Sequence, residues 1–274
     1  MREPISLWRL LKRFAVVVAC VYLIACVGLY FGQGMLTYFP RPLLFEPDAQ
    51  DIAIPAKDTM LHGWVVNPGH AQALIYFGGN GESVERDVDL FRKAMPASSV
   101  YLVPYRGFGA NAGNPTEATL FADALVVDDW VRARHAQVSV MGRSLGSGVA
   151  TWVASRRPTD RLVLVTPFDS ILNIARERFP IFPVAPFLKD RYESWRYAGS
   201  VKAKVLVVLA SDDHVVPRAR SAALMAYFPV KPAVVVVPHS GHNNIHNSAV
   251  YTQAIADFTR ATVEMPSTNP SPRH

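Results

Sequence analysis

The stretch VSVMGRSLGSGVA, residues 138–150, decides the fold of this chain. An apolar run with β-branched residues ends in GRSLG at residues 142–146, and small residues suited to a closely packed helix follow. A G-x-S-x-G sequence between a strand and a helix is typical of a nucleophile elbow, a sharp turn that raises the serine hydroxyl above the end of a sheet. The pattern therefore predicts Ser144 as a nucleophile and a strand–turn–helix unit at the centre of the fold.

On both sides of this stretch, short apolar runs alternate with longer amphipathic ones, which indicates an α/β fold with a mostly parallel sheet and helices on both faces. The predicted strands are Leu61–Asn67, Ala73–Phe77, Ser99–Val103, Val138–Met141, Arg161–Thr166, Val205–Ala210 and Ala233–Val237. The predicted helices are Val84–Ala94, Glu117–Arg134, Leu145–Arg156, Arg218–Tyr227 and Ile245–Thr262. The continuous runs VLVVLA and AVVVVP favour central strands that are buried on both faces.

A serine hydroxyl needs a general base, and the base needs an orienting carboxylate. Asp212 and Asp213 follow the strand VLVVLA, and His242 follows the last strand after a Ser-Gly turn. The order serine, acid, histidine is that of the α/β-hydrolase fold, in which all three residues lie at the carboxyl edge of the sheet. The sequence thus predicts this fold, with His242 as the base and one of the two aspartates as its partner.

A third group of residues is suited to stabilising an oxyanion. FGGNG at residues 77–81 ends an earlier strand and opens a helix, where backbone N–H groups are free to bind an anion. We expect one donor to be the N–H of Asn80. The second is expected to be the N–H of Leu145, the residue after the nucleophile.

The N-terminal segment FAVVVACVYLIACVGLYF, residues 14–31, contains no charged residue and as a helix would rise about 27 Å, close to the hydrocarbon thickness of a bilayer. Arg2, Arg9, Lys12 and Arg13 precede it, which predicts a cytoplasmic N-terminus and a catalytic domain outside the cytoplasm, in a periplasm or lumen. We expect an uncleaved anchor that contributes no catalytic group. A cleaved signal peptide and lipidation at Cys26, which ends the sequence LIAC, are the alternatives.

The chain is expected to divide into a basic flank at residues 1–13, a transmembrane anchor at 14–31, a catalytic domain at 41–262 and a disordered tail at 263–274. Within the catalytic domain, residues 167–201 are rich in proline and aromatic residues and interrupt the alternation of strands and helices. This segment is predicted to be an insertion over the active site.

Composition argues against several other classes of protein. Half of the 274 residues are hydrophobic and 18% are charged, which suits one large buried sheet. The net charge of +6 includes no basic stripe interleaved with aromatic residues, so nucleic-acid binding is not expected. Both cysteines, Cys20 and Cys26, lie in the anchor, and the histidines show no metal-ligand spacing. We therefore expect neither a metal nor a cofactor.

The stretches YFGGNGES, PYRGFGANAGNPTE, GRSLGSGVA, TPFDSI, VLVVLASDDHVVP and PHSGHNN run from Tyr76 to Asn244. Together with an anchor followed by YFPRP, they resemble the membrane-anchored α/β-hydrolase-domain serine hydrolases, which include lysophospholipid and monoacylglycerol lipases and protein depalmitoylases. The resemblance implies a triad of Ser144, Asp213 and His242. One departure is visible, because Gly78 stands where the family usually has histidine before Gly-Asn at the oxyanion turn.

The expected activity is hydrolysis of a carboxylic ester or thioester of a small or lipid-like acyl substrate near the membrane. A serine peptidase of the same fold would carry the same triad, and an acidic residue of the insertion would then read the substrate amine. Glu177, Asp190 and Glu193 are available for that role. A non-catalytic binding protein built on a hydrolase scaffold is the third hypothesis.

Overall fold

The computed structural model describes residues 7–260. The predicted tail at 263–274, the predicted helix end at Thr262 and the first six residues of the basic flank lie outside this range.

Eight strands and nine α-helices, with two short 3₁₀ turns at Val84–Asp87 and Ile245–Asn247, make up the described part of the chain. The strands are β1 (Gln50–Pro55), β2 (Met60–Val66), β3 (Gln72–Phe77), β4 (Ser99–Leu102), β5 (Gln137–Arg143), β6 (Arg161–Val165), β7 (Lys204–Ala210) and β8 (Ala233–Val237). The helices are α1 (Leu7–Thr37), α2 (Val88–Ala94), α3 (Glu117–Arg132), α4 (Leu145–Arg156), α5 (Ile171–Arg178), α6 (Val184–Phe187), α7 (Trp195–Ala198), α8 (Arg218–Met225) and α9 (Ala249–Thr259).

All strands belong to one sheet, in the order β1-β2-β4-β3-β5-β6-β7-β8. The pairs β1–β2 and β2–β4 are antiparallel, and the remaining pairs from β4 to β8 are parallel. The parallel register places Phe77 beside Gly142 and Ala210 beside Val237, so the carboxyl ends of β3, β5, β7 and β8 share one edge. This mostly parallel sheet confirms the predicted α/β-hydrolase fold.

Two hydrophobic clusters cover the two faces of the sheet. One joins the sheet to α3 and α4 through side chains such as Leu120 and Val149, which are fully buried. The other joins it to α2 and α9 through Phe91 and Ile255, also fully buried. Because each face packs against helices, the elbow between β5 and α4 stands on a rigid centre.

The seven predicted strands are all present, with bounds that differ by two residues at most, but three details were wrong. β8 is an edge strand: its Val234 and Val236 are exposed, so AVVVVP is not buried on both faces. β1 was not predicted, because QDIAIP lies at the opposite edge and only Ile54 is buried. The predicted helix from Ile245 is broken at Ser248, whose side chain accepts a hydrogen bond from Val250 N–H and starts α9.

α1 is longer than the predicted segment at both ends, with 31 residues and a length of about 46 Å. It has no buried residue, and among residues 7–260 it is the one helix long and apolar enough to cross a membrane. The predicted insertion contains the three short helices α5, α6 and α7, and α5 and α6 lie beside α1.

Candidate active site

Ser144 occupies a strained turn between β5 and α4. Its φ of 51° and ψ of −117° lie outside the regions that ordinary residues adopt. A Cβ at Gly142 would collide with the Gly146 carbonyl, and one at Gly146 would collide with the Phe77 carbonyl. Only glycine fits at these two positions, and this close approach holds the serine against the end of β3. Strain of this kind persists where the surrounding structure fixes it, most often at functional sites.

The structure brings Ser144, His242 and Asp213 together in one hydrogen-bonded chain. Ser144 Oγ lies 2.9 Å from His242 Nε2, and Asp213 Oδ2 lies 2.8 Å from His242 Nδ1. An ionised carboxylate only accepts hydrogen bonds, so Nδ1 carries the proton and Nε2 is left to accept from the serine hydroxyl. The imidazole is 7% exposed. The arrangement is that of a nucleophile, a general base and an orienting acid.

The carboxylate of Asp213 is kept ionised by its contacts. Burial alone would raise its pKa, but the hydrogen bond with His242 and the N–H groups of Val215 and Val216 lower the pKa below its ordinary value. Both N–H groups donate to Asp213 Oδ1, at 2.9 and 2.8 Å, which leaves Oδ2 for the imidazole. The acid is therefore charged and oriented at neutral pH.

The neighbouring residues of the same types lie outside this hydrogen-bonded chain. Asp212 is exposed, and its carboxylate accepts a hydrogen bond from the Ser211 hydroxyl at 2.7 Å. His239 is exposed and has a positive φ of 51°. His214 lines the pocket described below. The resemblance to the family, which runs through Asp213, thus agrees with the geometry of this loop.

The two expected oxyanion donors lie in the same pocket as Ser144. Leu145 is the first residue of α4, so its N–H has no acceptor within the helix. The Asn80 side chain is held by two backbone contacts, accepting from Phe39 N–H at 2.8 Å and donating to the Thr37 carbonyl at 2.7 Å. Both residues line the same pocket as Ser144. The site can therefore offer two N–H groups to an oxygen bound beside the serine.

The close packing around Gly78 leaves no room for a side chain at this position of the oxyanion turn. A Cβ at Gly78 would lie 2.6 Å from Val84 Cγ1, so a side chain there would displace the first residue of the following turn. The Gly78 carbonyl accepts a hydrogen bond from the Tyr105 hydroxyl at 2.9 Å. A Cβ at Gly79 would stand 3.6 Å from Ser144 Cβ, which shows how closely the oxyanion turn approaches the nucleophile.

A buried ion pair beneath the site was not predicted from the sequence. Arg143, the residue before the nucleophile, contacts Glu82 Oε2 at 2.9 Å and donates from a second nitrogen to the His242 carbonyl at 2.9 Å. Glu82 also accepts hydrogen bonds from the Gly79 N–H and, at 2.6 Å, from the Tyr76 hydroxyl. The pair therefore connects the oxyanion turn, the elbow and the histidine loop.

Charge in this buried cluster is distributed unequally. Burial raises the pKa of Glu82, but Arg143 and the hydrogen bonds of the cluster outweigh burial and lower it overall. Burial and the charge on Glu82 together raise the pKa of Asp87 well above its ordinary value. The cluster therefore favours the ionised form of Glu82, beside Arg143, and the protonated form of Asp87.

A cavity of about 570 Å³ opens beside Ser144, within the usual range for small-molecule sites. Most of its lining is apolar. Apart from Phe39, Phe168 and the site residues Asn80, Ser144 and Leu145, the lining comes from the C-terminal part of α1, from helices α5 and α6 with their connection, and from the loop after β7. α1 contributes six residues to it: Cys26, Leu29, Tyr30, Gln33, Leu36 and Thr37. α1 therefore forms one wall of the cavity, a position that the sequence did not predict.

Within residues 7–260, no group of three or more histidine, cysteine, aspartate or glutamate side chains is placed to hold a metal ion.

The sequence model of the serine hydrolase (FSH1) family matches residues 75–255, which include all five predicted site residues. The chain is 33% identical over 267 residues to the Mycobacterium tuberculosis protein Rv2307c, covering 90% of this chain and 95% of that one. It is 30% identical over 185 residues to the Macaca fascicularis lysophosphatidylserine lipase ABHD12, covering 59% of this chain and 46% of the lipase. The structure matches the Pyrococcus furiosus esterase Pf2001 with a TM-score of 0.65 at 18% identity, over 81% of this chain and 97% of the esterase.

Proposed function

This chain belongs to the serine hydrolase (FSH1) family, and on that premise we propose that it cleaves carboxylic esters or thioesters of acyl chains with Ser144, His242 and Asp213 as its catalytic triad. The observation that carries the proposal is the unbroken hydrogen-bonded chain from Ser144 through His242 to Asp213, at the wall of an apolar cavity. The arrangement of a nucleophile with its base and orienting acid supports hydrolysis through an acyl-enzyme, and the apolar lining of the cavity supports an acyl chain as the substrate.

In the proposed mechanism, Ser144 Oγ attacks the acyl carbonyl carbon while His242 Nε2 takes the hydroxyl proton. The N–H groups of Asn80 and Leu145 bind the oxyanion of the tetrahedral intermediate. His242 then gives its proton to the departing alcohol or thiol, and an acyl-enzyme remains on Ser144. His242 next removes a proton from water, and the hydroxide attacks the acyl carbon. The bond from that carbon to Ser144 Oγ breaks, His242 returns the proton to Oγ, and the carboxylic acid is released. Asp213 stays ionised throughout and stabilises the imidazolium.

The insertion supports an acyl substrate over a peptide. A peptidase that reads a substrate amine needs a carboxylate in its pocket, and none of the three acidic residues considered lines the cavity. Glu177 pairs with Arg220 at 3.4 Å, and Asp190 accepts a hydrogen bond from the Glu117 N–H at 3.0 Å. Glu193 contacts Arg196 at 3.0 Å. These carboxylates are engaged elsewhere, and the aromatic and aliphatic lining favours an acyl chain.

We further propose that residues 14–31 cross a membrane and hold the catalytic domain, residues 41–262, on its far side. The length and apolar character of α1 support the span. The charges at Arg9, Lys12 and Arg13, followed by none before Arg41, support a cytoplasmic N-terminus. A single-pass enzyme of this orientation would act in a periplasm or lumen.

Ser144→Ala tests the proposed function directly. The variant should lose hydrolysis of p-nitrophenyl esters by about 10³-fold or more, because the hydroxyl that forms the acyl-enzyme is gone. It should also lose labelling by a fluorophosphonate probe. Its thermal melt should stay close to that of the wild type, since the serine hydroxyl has one hydrogen bond, to His242, and alanine leaves the backbone of the turn intact. Turnover within about tenfold of wild type would refute the assignment of the nucleophile.

A further inference from the structure

α1 and the insertion are joined at two separate levels along the helix. Near its C-terminal end, the Gln33 side chain accepts from the Lys189 N–H at 2.8 Å and donates to the Phe187 carbonyl at 3.3 Å. Further back, the Tyr22 hydroxyl donates to the Ile181 carbonyl at 2.9 Å, and its ring stacks on Phe182 with centroids 5.7 Å apart. The insertion therefore lies alongside the helix instead of standing clear of it.

The part of the insertion that lies alongside α1 is uncharged. We call residues 179–188, FPIFPVAPFL, the apex. Charged residues flank it on both sides, with RER at 176–178 before it and KDR at 189–191 after it. Two of its large side chains face solvent: Ile181 is 72% exposed and Phe187 is 51% exposed. An exposed apolar surface of this kind between charged flanks marks an interaction site.

α1 gives a measure of how far the apex reaches. Gln33 lies at the level of the charged flank, and Tyr22 lies at the level of Ile181. These two residues are 11 positions apart, which corresponds to about 16 Å of helix. One leaflet of a bilayer has a hydrocarbon thickness of about 15 Å, half of the whole core. If α1 crosses a membrane, the apex has the length and the composition to fill the leaflet beside it.

The cavity extends in the same direction. At one end the oxyanion turn contacts α1 through Asn80 and Thr37, next to Ser144. At the other end the lining includes Cys26 together with Phe179 and Phe182 of the apex. From Thr37 to Cys26 is also 11 positions, again about 16 Å. The cavity thus runs beside the helix from the nucleophile to the depth of the apex.

We propose that the apex inserts into the leaflet nearest the catalytic domain, and that the acyl chain of a bilayer-resident lipid enters the cavity from that leaflet, between α1 and the apex. The inference rests on the proposed function, because it places the acyl carbonyl at Ser144. It gives α1 a second role as a wall of the acyl-binding site. The substrate class is an ester or thioester whose chain is already dissolved in the membrane.

Insertion is tested by a fluorescent label in phosphatidylcholine vesicles. Cys20 and Cys26 are first replaced by alanine in the full chain, and Ile181→Cys is then labelled with an environment-sensitive fluorophore. Val230→Cys is the matched control, because Val230 is 74% exposed. It precedes β8 and so lies at the amino ends of the parallel strands, away from the carboxyl ends that carry the site. Lipids that carry a nitroxide on the acyl chain should quench the label at residue 181 and spare the label at residue 230. Equal quenching at both positions, or none at residue 181, overturns the insertion.

Entry from the leaflet is tested by comparing two substrates. Ile181 does not line the cavity, so Ile181→Asp should hydrolyse soluble p-nitrophenyl butyrate within about twofold of wild type. Hydrolysis of monooleoylglycerol in phosphatidylcholine vesicles should fall by about tenfold or more, because a carboxylate at the apex opposes burial in hydrocarbon. Val230→Asp should leave both rates unchanged. Wild-type rates of Ile181→Asp on the vesicle substrate would overturn the proposal.

The wall formed by α1 is tested in detergent. Leu29 lines the cavity, whereas Leu23 is 61% exposed and does not line it. Leu29→Trp should lower kcat/KM for a long-chain p-nitrophenyl ester by about tenfold, and Leu23→Trp should leave that value unchanged. Equal effects of the two tryptophans would refute the wall. Failure of the proposed function is distinct from all of these outcomes, because it appears as butyrate hydrolysis that survives Ser144→Ala.

Discussion

The buried pair of Arg143 and Glu82 gives the sharpest test of how the site is held together. Both side chains are about 10% exposed, and between them they reach the oxyanion turn, the elbow and the backbone of His242. Arg143→Met removes the positive partner and leaves the carboxylate of Glu82 buried. Glu82→Gln removes the negative partner with little change in shape. The double variant removes both charges, so the three proteins form a thermodynamic cycle.

The magnitude follows from the burial of the pair. Removing one partner of a buried ion pair costs about 3–5 kcal/mol, because the other charge is left uncompensated. In a domain of more than 200 residues, about 1 kcal/mol shifts Tm by roughly 2–4 °C, so each single variant should melt roughly 6–20 °C lower than wild type. The double variant should recover a large part of this loss, since replacing a whole buried pair by neutral groups is often close to neutral.

The assay is thermal unfolding of the full chain in detergent, with hydrolysis of p-nitrophenyl butyrate measured on each variant. Arg157→Met is the matched control, because the pair of Arg157 with Asp129 lies at the surface and should contribute less than about 1 kcal/mol. A loss below about 1 kcal/mol in Arg143→Met, equal to that of the control, would refute the role given to the pair. A double variant whose loss of stability equals the sum of the losses in the two single variants would also refute it.

Three further expectations concern the proposed triad acid Asp213, the buried acid Asp87 and the orientation in the membrane. Asp213→Asn should lower kcat about 10⁴-fold, because an amide facing Nδ1 fixes the wrong tautomer of His242. Asp212→Asn should lower kcat little. A large loss in Asp212→Asn with a small loss in Asp213→Asn would exclude Asp213 as the acid. Asp87 has a raised pKa in the folded protein, so its contribution to stability falls as pH rises above the unfolded pKa. The melting temperature of Asp87→Asn should therefore rise relative to that of wild type as the pH increases from about 4. A constant margin would contradict that reasoning. Protease added outside spheroplasts should digest the catalytic domain without lysis, and full protection there would reverse the proposed orientation.

The sequence predicts the sheet well where strands are continuous and apolar. VLVVLA is buried as β7, because apolar residues on both faces need cover on both faces. AVVVV has the same composition, yet β8 lies at the edge of the sheet, and its position depends on which strand ends the sheet and not on its own residues. β1 escapes prediction for the opposite reason, since an edge strand with one fully buried residue needs little apolar content.

The candidate site is predicted from short patterns that each follow a strand. Ser144 and His242 are readable in this way because their roles depend on local turns at strand ends. The choice of Asp213 over Asp212 needed the family resemblance, because both carboxylates follow the same strand. The Glu82–Arg143 pair joins residues 61 positions apart, and no local pattern signals a contact over that distance. The one signal in the sequence was Arg143 inside the elbow, because a charged residue at a buried turn requires a partner of opposite charge.

Because α1 forms a wall of the cavity, selection can constrain the identity of its side chains as well as their apolar character. A helix that merely crosses a bilayer tolerates almost any exchange among apolar residues, since lipid tails do not distinguish leucine from valine. On α1 the face with Cys26, Leu29, Tyr30 and Gln33 lines a cavity, while residues such as Leu23 do not. Substitution along the helix should therefore be uneven, with the cavity face changing in step with α5 and α6 while the remaining faces drift freely. Among relatives, the anchor and the insertion would then diverge as one unit.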